Sequence, residues 1–439
     1  MKLGHMRLPL TIRKSFVFCV AALFVGAGTQ LHAQATLLLE EPYSYDGTFA
    51  GTGHVAVYLA RVCAESPIVL RRCGPGETGV VISRYNGVAG RDWIAIPLIP
   101  YLYAVKNPED IPLFADSKLV AFLRHEYLTS IDVNGAASYQ LAGSAYDRTT
   151  YGFRIATRPE QDDEFIRLLN SAPNRESYRL LNRNCADFAK QVINFYYPKS
   201  IHRSIIADLG VMTPKQAAKS LAHFSKRHPE MQLTTFIIPQ VPGLKRSKPV
   251  HGVIESLVLA KKYVTPVLLF HPFVVGTVEA AYWAGWRFNP GKGALIFNPS
   301  SNPSSGLETP LTTAQRRSYL NSISALKRAS ADTESVPDWR SGAEPQLDAT
   351  GQPFLQAQVE GRTVQLGLSR GNALRLSAPP ELVQSLLLTR LEQELKPSKP
   401  SRVSGQQVEN DWKLLERAVE ARQAALTAER ERPHSNPAP

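Results

Sequence analysis

An α+β fold is predicted from three stretches of the chain. Gly53–Ala60 alternates strictly, with Val55, Val57 and Leu59 on one face and His54, Ala56 and Tyr58 on the other, as a half-buried strand does. Cys185–Tyr196 instead repeats its apolar residues at helical spacing, through Phe188, Val192 and Phe195/Tyr196, until Pro198 stops it. From Lys199 onward most periodic segments are helical. The expected architecture is an antiparallel sheet packed with helices over residues 36–200, followed by a mostly helical extension.

Residues 1–35 read as an export signal. Lys2, Arg7, Arg13 and Lys14 form a basic start, and Ser15–Gly28 is a short apolar core. Leu31-His32-Ala33 and Ala33-Gln34-Ala35 place small residues at cleavage positions. Phe18 before Cys19 lacks the small side chain that lipid modification requires, so the expected product is a cleaved protein of the periplasm or cell envelope.

Within 36–200, Ile68–Leu70 and Gly79–Tyr85 are further strands around the turn Cys73-Gly74-Pro75-Gly76-Glu77. Ala95–Val105 is apolar but carries Pro97 and Pro100, which predicts an extended connection. Ser117–Thr129 has helical spacing, Ser144–Ile155 is strand-like, and Arg158–Ser171 is a helix with an acidic start.

The 439 residues are 44% hydrophobic, enough for a large core. The net charge is +12, and the signal segment holds four basic and no acidic residues, leaving +8. The basic residues are dispersed apart from Lys245–Lys248, with no aromatic-interleaved stripe, which argues against nucleic acid as a partner. Anionic envelope polymers or membrane surfaces fit this charge better, although most such charge is a solvated surface.

After export three cysteines remain. Cys63 and Cys73, ten positions apart between strand-like runs, suit a disulfide across a loop or hairpin. Cys185 is then the odd thiol. At a helix start, with Asn184 as N-cap and Asp187 in the first turn, it is a nucleophile favoured by the helix dipole, an inert buried thiol, or a partner in an intermolecular disulfide. His125 and Glu126 begin like a zinc-peptidase helix, but Thr129 stands where the second histidine ligand belongs, so they read as a solvated helix pair. Neither a metal nor a cofactor is implied by any motif. No phosphate loop is present, and no nucleophile elbow stands out.

Thiol catalysis needs a base, and His54 lies on a strand 131 residues before Cys185. Gly53-His54-Val55-Ala56-Val57-Tyr58 followed by Asn184-Cys185-Ala186-Asp187-Phe188 resembles the circularly permuted papain-like proteins. These are the permuted NlpC-type cysteine peptidases and their lecithin-retinol-acyltransferase-like relatives. The resemblance covers about residues 45–200. It implies a hydrolase or acyltransferase acting on amide or ester bonds, possible substrates being cell-wall peptides or lipids. It also implies Cys185 as nucleophile, His54 as general base, and an orienting polar residue on the next strand. Ser83 and Tyr85 share a face of that strand, with Asn86 just beyond, and none is an Asp, Glu or His. The alternative is a non-catalytic envelope binding or structural protein on the same fold.

In the extension, residues 201–297, Ser200–Leu209 carries helix signals and Thr213-Pro214 is a helix start. Leu233–Pro242 is a short strand or loop, and Gly252–Lys262 is helical. Tyr263–Trp286 is long enough to span a bilayer, and Trp283 and Trp286 would suit an interface, but Pro266, Pro272, His271 and the single charge Glu279 make a buried amphipathic segment the default expectation, with membrane association as the alternative. Residues 298–350 read as a linker containing one helix, Thr312–Ala329. Residues 351–432 hold a hairpin turning at Glu360-Gly361, a helix after Pro379-Pro380, and a stripe of Val408, Trp412, Leu415, Val419 and Leu426 on a docked helix. Residues 433–439 are an expected disordered tail.

Overall fold

The computed structural model describes residues 33–43, 52–88, 90–133, 138–175, 177–259, 273, 276, 277, 280, 288–299, 306–329, 342–359, 361–367, 369, 378–396 and 402–430. The expected export signal up to residue 32, the expected tail and nearly all of Tyr263–Trp286 lie outside them. Among the described residues, no helix is long and apolar enough to cross a membrane.

β1 (Ala33–Glu40) is the central strand of an eight-stranded sheet. Its segment Ala35–Leu39 is buried on both faces, and such a strand carries a continuous apolar run rather than alternation. β2 (His54–Leu59) pairs with it antiparallel on one side, followed by β5 (Val80–Ser83) and β6 (Ile94–Pro97). β7 (Thr150–Thr157) pairs on the other side, followed by β8 (Thr234–Ile238), β9 (Leu295–Phe297) and β10 (Leu307–Glu308). β8 and β9 run parallel, so the sheet is mixed. β8, β9 and β10 come from chain beyond residue 200, so one sheet crosses the boundary at which the sequence pattern changes. β3 (Val62–Ser66) and β4 (Val69–Arg72) form a separate hairpin.

Helices cover both faces. The face of Leu37, Leu39, Val55, Val57, Val80 and Ile82 packs against Phe165, Phe188, Val192, Ile193 and Leu221. Those residues lie on α3 (Pro159–Ser171), α4 (Cys185–Tyr196) and α6 (Pro214–Phe224). The face of Leu38, Ala56, Tyr58, Val81 and Tyr85 packs against α1 (Leu98–Tyr103) and α2 (Ser117–Ser130). The same apolar cluster extends to a small sheet of β11 (Glu344–Leu347), β12 (Pro353–Val359) and β13 (Arg362–Gly367), and to α8 (Thr313–Ala329), α9 (Pro380–Leu395) and α10 (Gly405–Arg430). Two short helices, α5 (Ile205–Asp208) and α7 (Val253–Leu259), contact each other.

The extended connection expected over Ala95–Val105 is in fact a strand end and a helix. Pro97 caps α1 and Pro100 falls in its first turn, where a missing N–H breaks no helical hydrogen bond. The helix expected over Ser200–Leu209 is confined to Ile205–Asp208, capped by Ser204. Thr213 caps α6 through Gln216 N at 3.1 Å, as its sequence signature predicts. Val408 and Leu415 of the terminal stripe are fully buried, whereas Leu426 is exposed.

Cys63 and Cys73 form a disulfide that closes the β3–β4 hairpin. A loop of this length removes about 3 kcal/mol of chain entropy from the unfolded state. Cys63→Ser with Cys73→Ser is therefore expected to lower the urea-unfolding free energy by about 3 kcal/mol. An unchanged midpoint would show that the bridge carries no stability.

Candidate functional site

The start of α4 is built by its cap. Asn184 Oδ1 accepts from Ala186 N (2.9 Å) and Asp187 N (3.0 Å), while its Nδ2 donates to the carbonyls of Leu180 (2.8 Å) and Met212 (3.0 Å). Asp187 returns the bond to Asn184 N and pairs with Arg203 at 2.5 Å. Asn184 is thus a structural cap, and four polar contacts fix the direction of the first helical turn.

Cys185, the first helical residue, is buried and unbridged. Burial, with a smaller push from the Glu40 carboxylate, drives the thiol up to about 11, although the amides of Val55, Ala186 and Cys185 itself face the sulfur and favour the thiolate. The lowered pKa expected of a helix-start cysteine is therefore not realised, because desolvation outweighs the dipole.

His54 opens β2 directly after Gly53, whose φ of 74° and approach to the Glu40 carbonyl leave no room for a Cβ. Its Nε2 lies 2.9 Å from Ser83 Oγ, and Ser83 Oγ also reaches the Val55 carbonyl at 3.1 Å. A hydroxyl has one proton, and the carbonyl can only accept. The consistent assignment has Ser83 donating to Val55 O and accepting from Nε2–H, which leaves Nδ1 as the basic nitrogen. Tyr85 stacks on the ring with centroids 4.6 Å apart. Burial, reinforced by the Arg148 guanidinium, pushes the imidazole down to about 3.

Beneath His54 lies a polar array that sequence reading did not single out. Glu40, the cross-strand neighbour of His54, pairs with Arg148 at 2.9 Å and accepts from Tyr101 Oη at 2.6 Å. Tyr85 Oη donates to Tyr101 Oη at 3.3 Å, and Arg148 lies over the Tyr43 ring. Burial raises the Glu40 pKa, with Arg148 opposing. One signal was readable in advance: Glu40 is a carboxylate ending an otherwise apolar strand.

On the other face, Arg84 lies over the Phe188 ring (5.1 Å) and pairs with Asp92 at 2.6 Å. Its Nε and Nη1 are buried without a hydrogen-bond partner among the described residues. The fully buried position of an arginine is not legible from a strand-end residue alone.

The structure brings His54, Ser83 and Tyr85 together on the sheet face of Leu38 and Ala56. Cys185 belongs to the opposite face, with Val55 and Val57. The sulfur meets the β2 backbone at Val55, one residue from His54, and among the described residues no hydrogen bond joins it to the imidazole. Elsewhere, His125 and Glu126 are exposed on α2. Cys63, Cys73 and Glu77 cluster, but both sulfurs are committed to the disulfide and cannot serve as thiolate ligands.

At pH 7.5 the folded protein is expected to alkylate with iodoacetamide at Cys185 at least tenfold more slowly than the unfolded chain, the rate rising toward about pH 11. Fast labelling at pH 6–7 would mean that the thiolate forms despite burial.

No protein-family model matches the chain, and no curated protein or solved structure matches it either.

Proposed function

We propose that this chain is an exported cysteine hydrolase or acyltransferase of the cell envelope, built on a permuted papain-like arrangement and acting on amide or ester bonds of wall peptides or lipids. One observation carries the reading. The thiol at the α4 start abuts the β2 backbone one residue from a histidine whose Nε2 is held by Ser83 and whose ring is held by Tyr85. Ser83 supplies the orienting polar contact expected of the strand after the histidine strand, although it is a hydroxyl rather than a carboxylate.

Both groups rest neutral, so thiol deprotonation must accompany carbon–sulfur bond formation rather than precede it. Cys185 Sγ attacks the carbonyl carbon and His54 accepts the thiol proton. Collapse of the tetrahedral intermediate expels the amine or alcohol, which takes that proton back. Water then cleaves the thioester in a hydrolase, or an acceptor amine or alcohol does so in a transferase.

A second reading is favoured by the same geometry. His54 and Cys185 occupy opposite sheet faces, and burial shifts each away from its reactive form. That describes a non-catalytic envelope protein on this scaffold.

An activated ester separates the two. With p-nitrophenyl acetate, the catalytic reading predicts one acetyl group on Cys185 by peptide mass spectrometry. The adduct should be absent in Cys185→Ala and should form roughly 10²-fold more slowly in His54→Ala. A folded protein that stays unacylated while free cysteine is acylated in parallel would leave the non-catalytic reading.

A further inference from the structure

Among the described residues, the largest concentration of exposed aliphatic side chains lies beside the α4 start. Leu180 and Leu181 are 69% and 66% exposed, and Ile205 and Leu209 are 81% and 62% exposed. Other exposed aliphatics of the described residues, such as Leu168 at 46% and Leu426 at 44%, are scattered singly. Single exposed leucines need no explanation, but a group does.

The four belong to two loops clamped together. Asn184 Nδ2 bonds the carbonyls of both Leu180 and Met212. Arg203 bonds the carbonyls of Asn182 and Gly210, both at 3.2 Å. The leucine pair and the α5 residues therefore form one fixed surface.

Its charge is mainly basic. Arg175, Arg179 and Arg183 are exposed around the leucine pair, and Glu176 is the one acidic residue among them in the sequence. The other neighbouring carboxylates are engaged elsewhere: Asp92 lies 3.8 Å from Arg183 but is held by Arg84 at 2.6 Å, Asp187 is held by Arg203, and Asp208 is buried with its Oδ1 on Val253 N at 2.8 Å. That last bond ties α5 to the start of α7, after which the sequence enters its apolar run Tyr263–Trp286. Aliphatic side chains in a basic rim match the interface of an anionic bilayer, where apolar groups enter the acyl boundary and arginines meet lipid phosphates.

We infer that Leu180, Leu181, Ile205 and Leu209, with Arg179 and Arg183, dock the protein on an anionic membrane surface. Docking there sets the α4 start and Cys185 at the lipid headgroups. The inference concerns the surface and does not require the thiol to be reactive.

The test uses the secreted full chain carrying Cys185→Ala, so that thiol chemistry cannot contribute. Its flotation is measured with phosphatidylglycerol-rich vesicles and with pure phosphatidylcholine vesicles. Binding to the anionic vesicles is expected, weakening with added salt. Leu180→Asp with Leu181→Asp should lower the bound partition at least tenfold. Arg179→Glu with Arg183→Glu should lower it by a comparable factor, at about fivefold or more per arginine. Leu180, Leu181 and Arg179 are exposed, and Arg183 makes only a 3.8 Å pair with Asp92, which Arg84 holds at 2.6 Å, so the variants should retain the parent's circular dichroism and melting temperature. Absence of binding to the anionic vesicles would overturn the inference and leave a protein partner as the occupant of the patch. Binding that persists undiminished in both double variants would also overturn it, assigning membrane contact to the apolar run instead.

Discussion

The buried Glu40–Arg148 ion pair is the interaction on which the candidate site depends. Glu40 ends the central strand, faces His54 across β2 and Thr150 across β7, and accepts from Tyr101. Arg148 enters β7 two residues earlier and lies over Tyr43. One pair thus ties the same ends of three strands and seats the tyrosines beneath the histidine. A buried pair gains little over apolar packing, but losing one partner strands a charge at a cost of about 3–5 kcal/mol. The pair therefore fixes this corner more than it stabilises the whole protein, and the Arg148 charge helps keep His54 neutral.

At Cys185 two effects compete and their sizes decide the outcome. A helix N-terminus favours an anion by about 0.3–1 kcal/mol at exposed sites and up to about 2 in partly buried ones. The shift of the thiol from 9.0 to about 11 corresponds to about 3 kcal/mol against the thiolate, even with three amides facing the sulfur. Burial wins. A helix-start cysteine is consequently insufficient to define a reactive thiol, because reactivity depends on solvent access as much as on the dipole.

What the sequence revealed follows from where local rules operate. The strand at Gly53–Ala60, the Asn184 cap, the Thr213-Pro214 start and the Cys63–Cys73 spacing all depend on neighbours within a few residues, and each reappears in the structure, although the strand is buried on both faces rather than one because helices cover the sheet on either side. Pro97 and Pro100 misled because proline excludes a helix interior but suits a first turn. Period-two alternation also places His54 on the face opposite Val55, whereas the Cys–His pairing rests on residue types and on the resemblance to permuted papain-like proteins. Glu40, Arg148 and Tyr101 lie far apart in sequence, and only the register of β1, β2 and β7 brings them together. Likewise the joining of β8, β9 and β10 to the sheet is a long-range pairing that no local period encodes.

The protonation of His54 tests this account most directly. Its imidazole can be followed by nuclear magnetic resonance in selectively labelled protein, with His54→Gln identifying the signal among the ten histidines. A buried ring beside Arg148 predicts a neutral imidazole that does not titrate between pH 8 and pH 5 and gains its proton only near 3. Titration at or above the ordinary 6.5 would contradict the account, since the ring would then be solvated or paired with a thiolate.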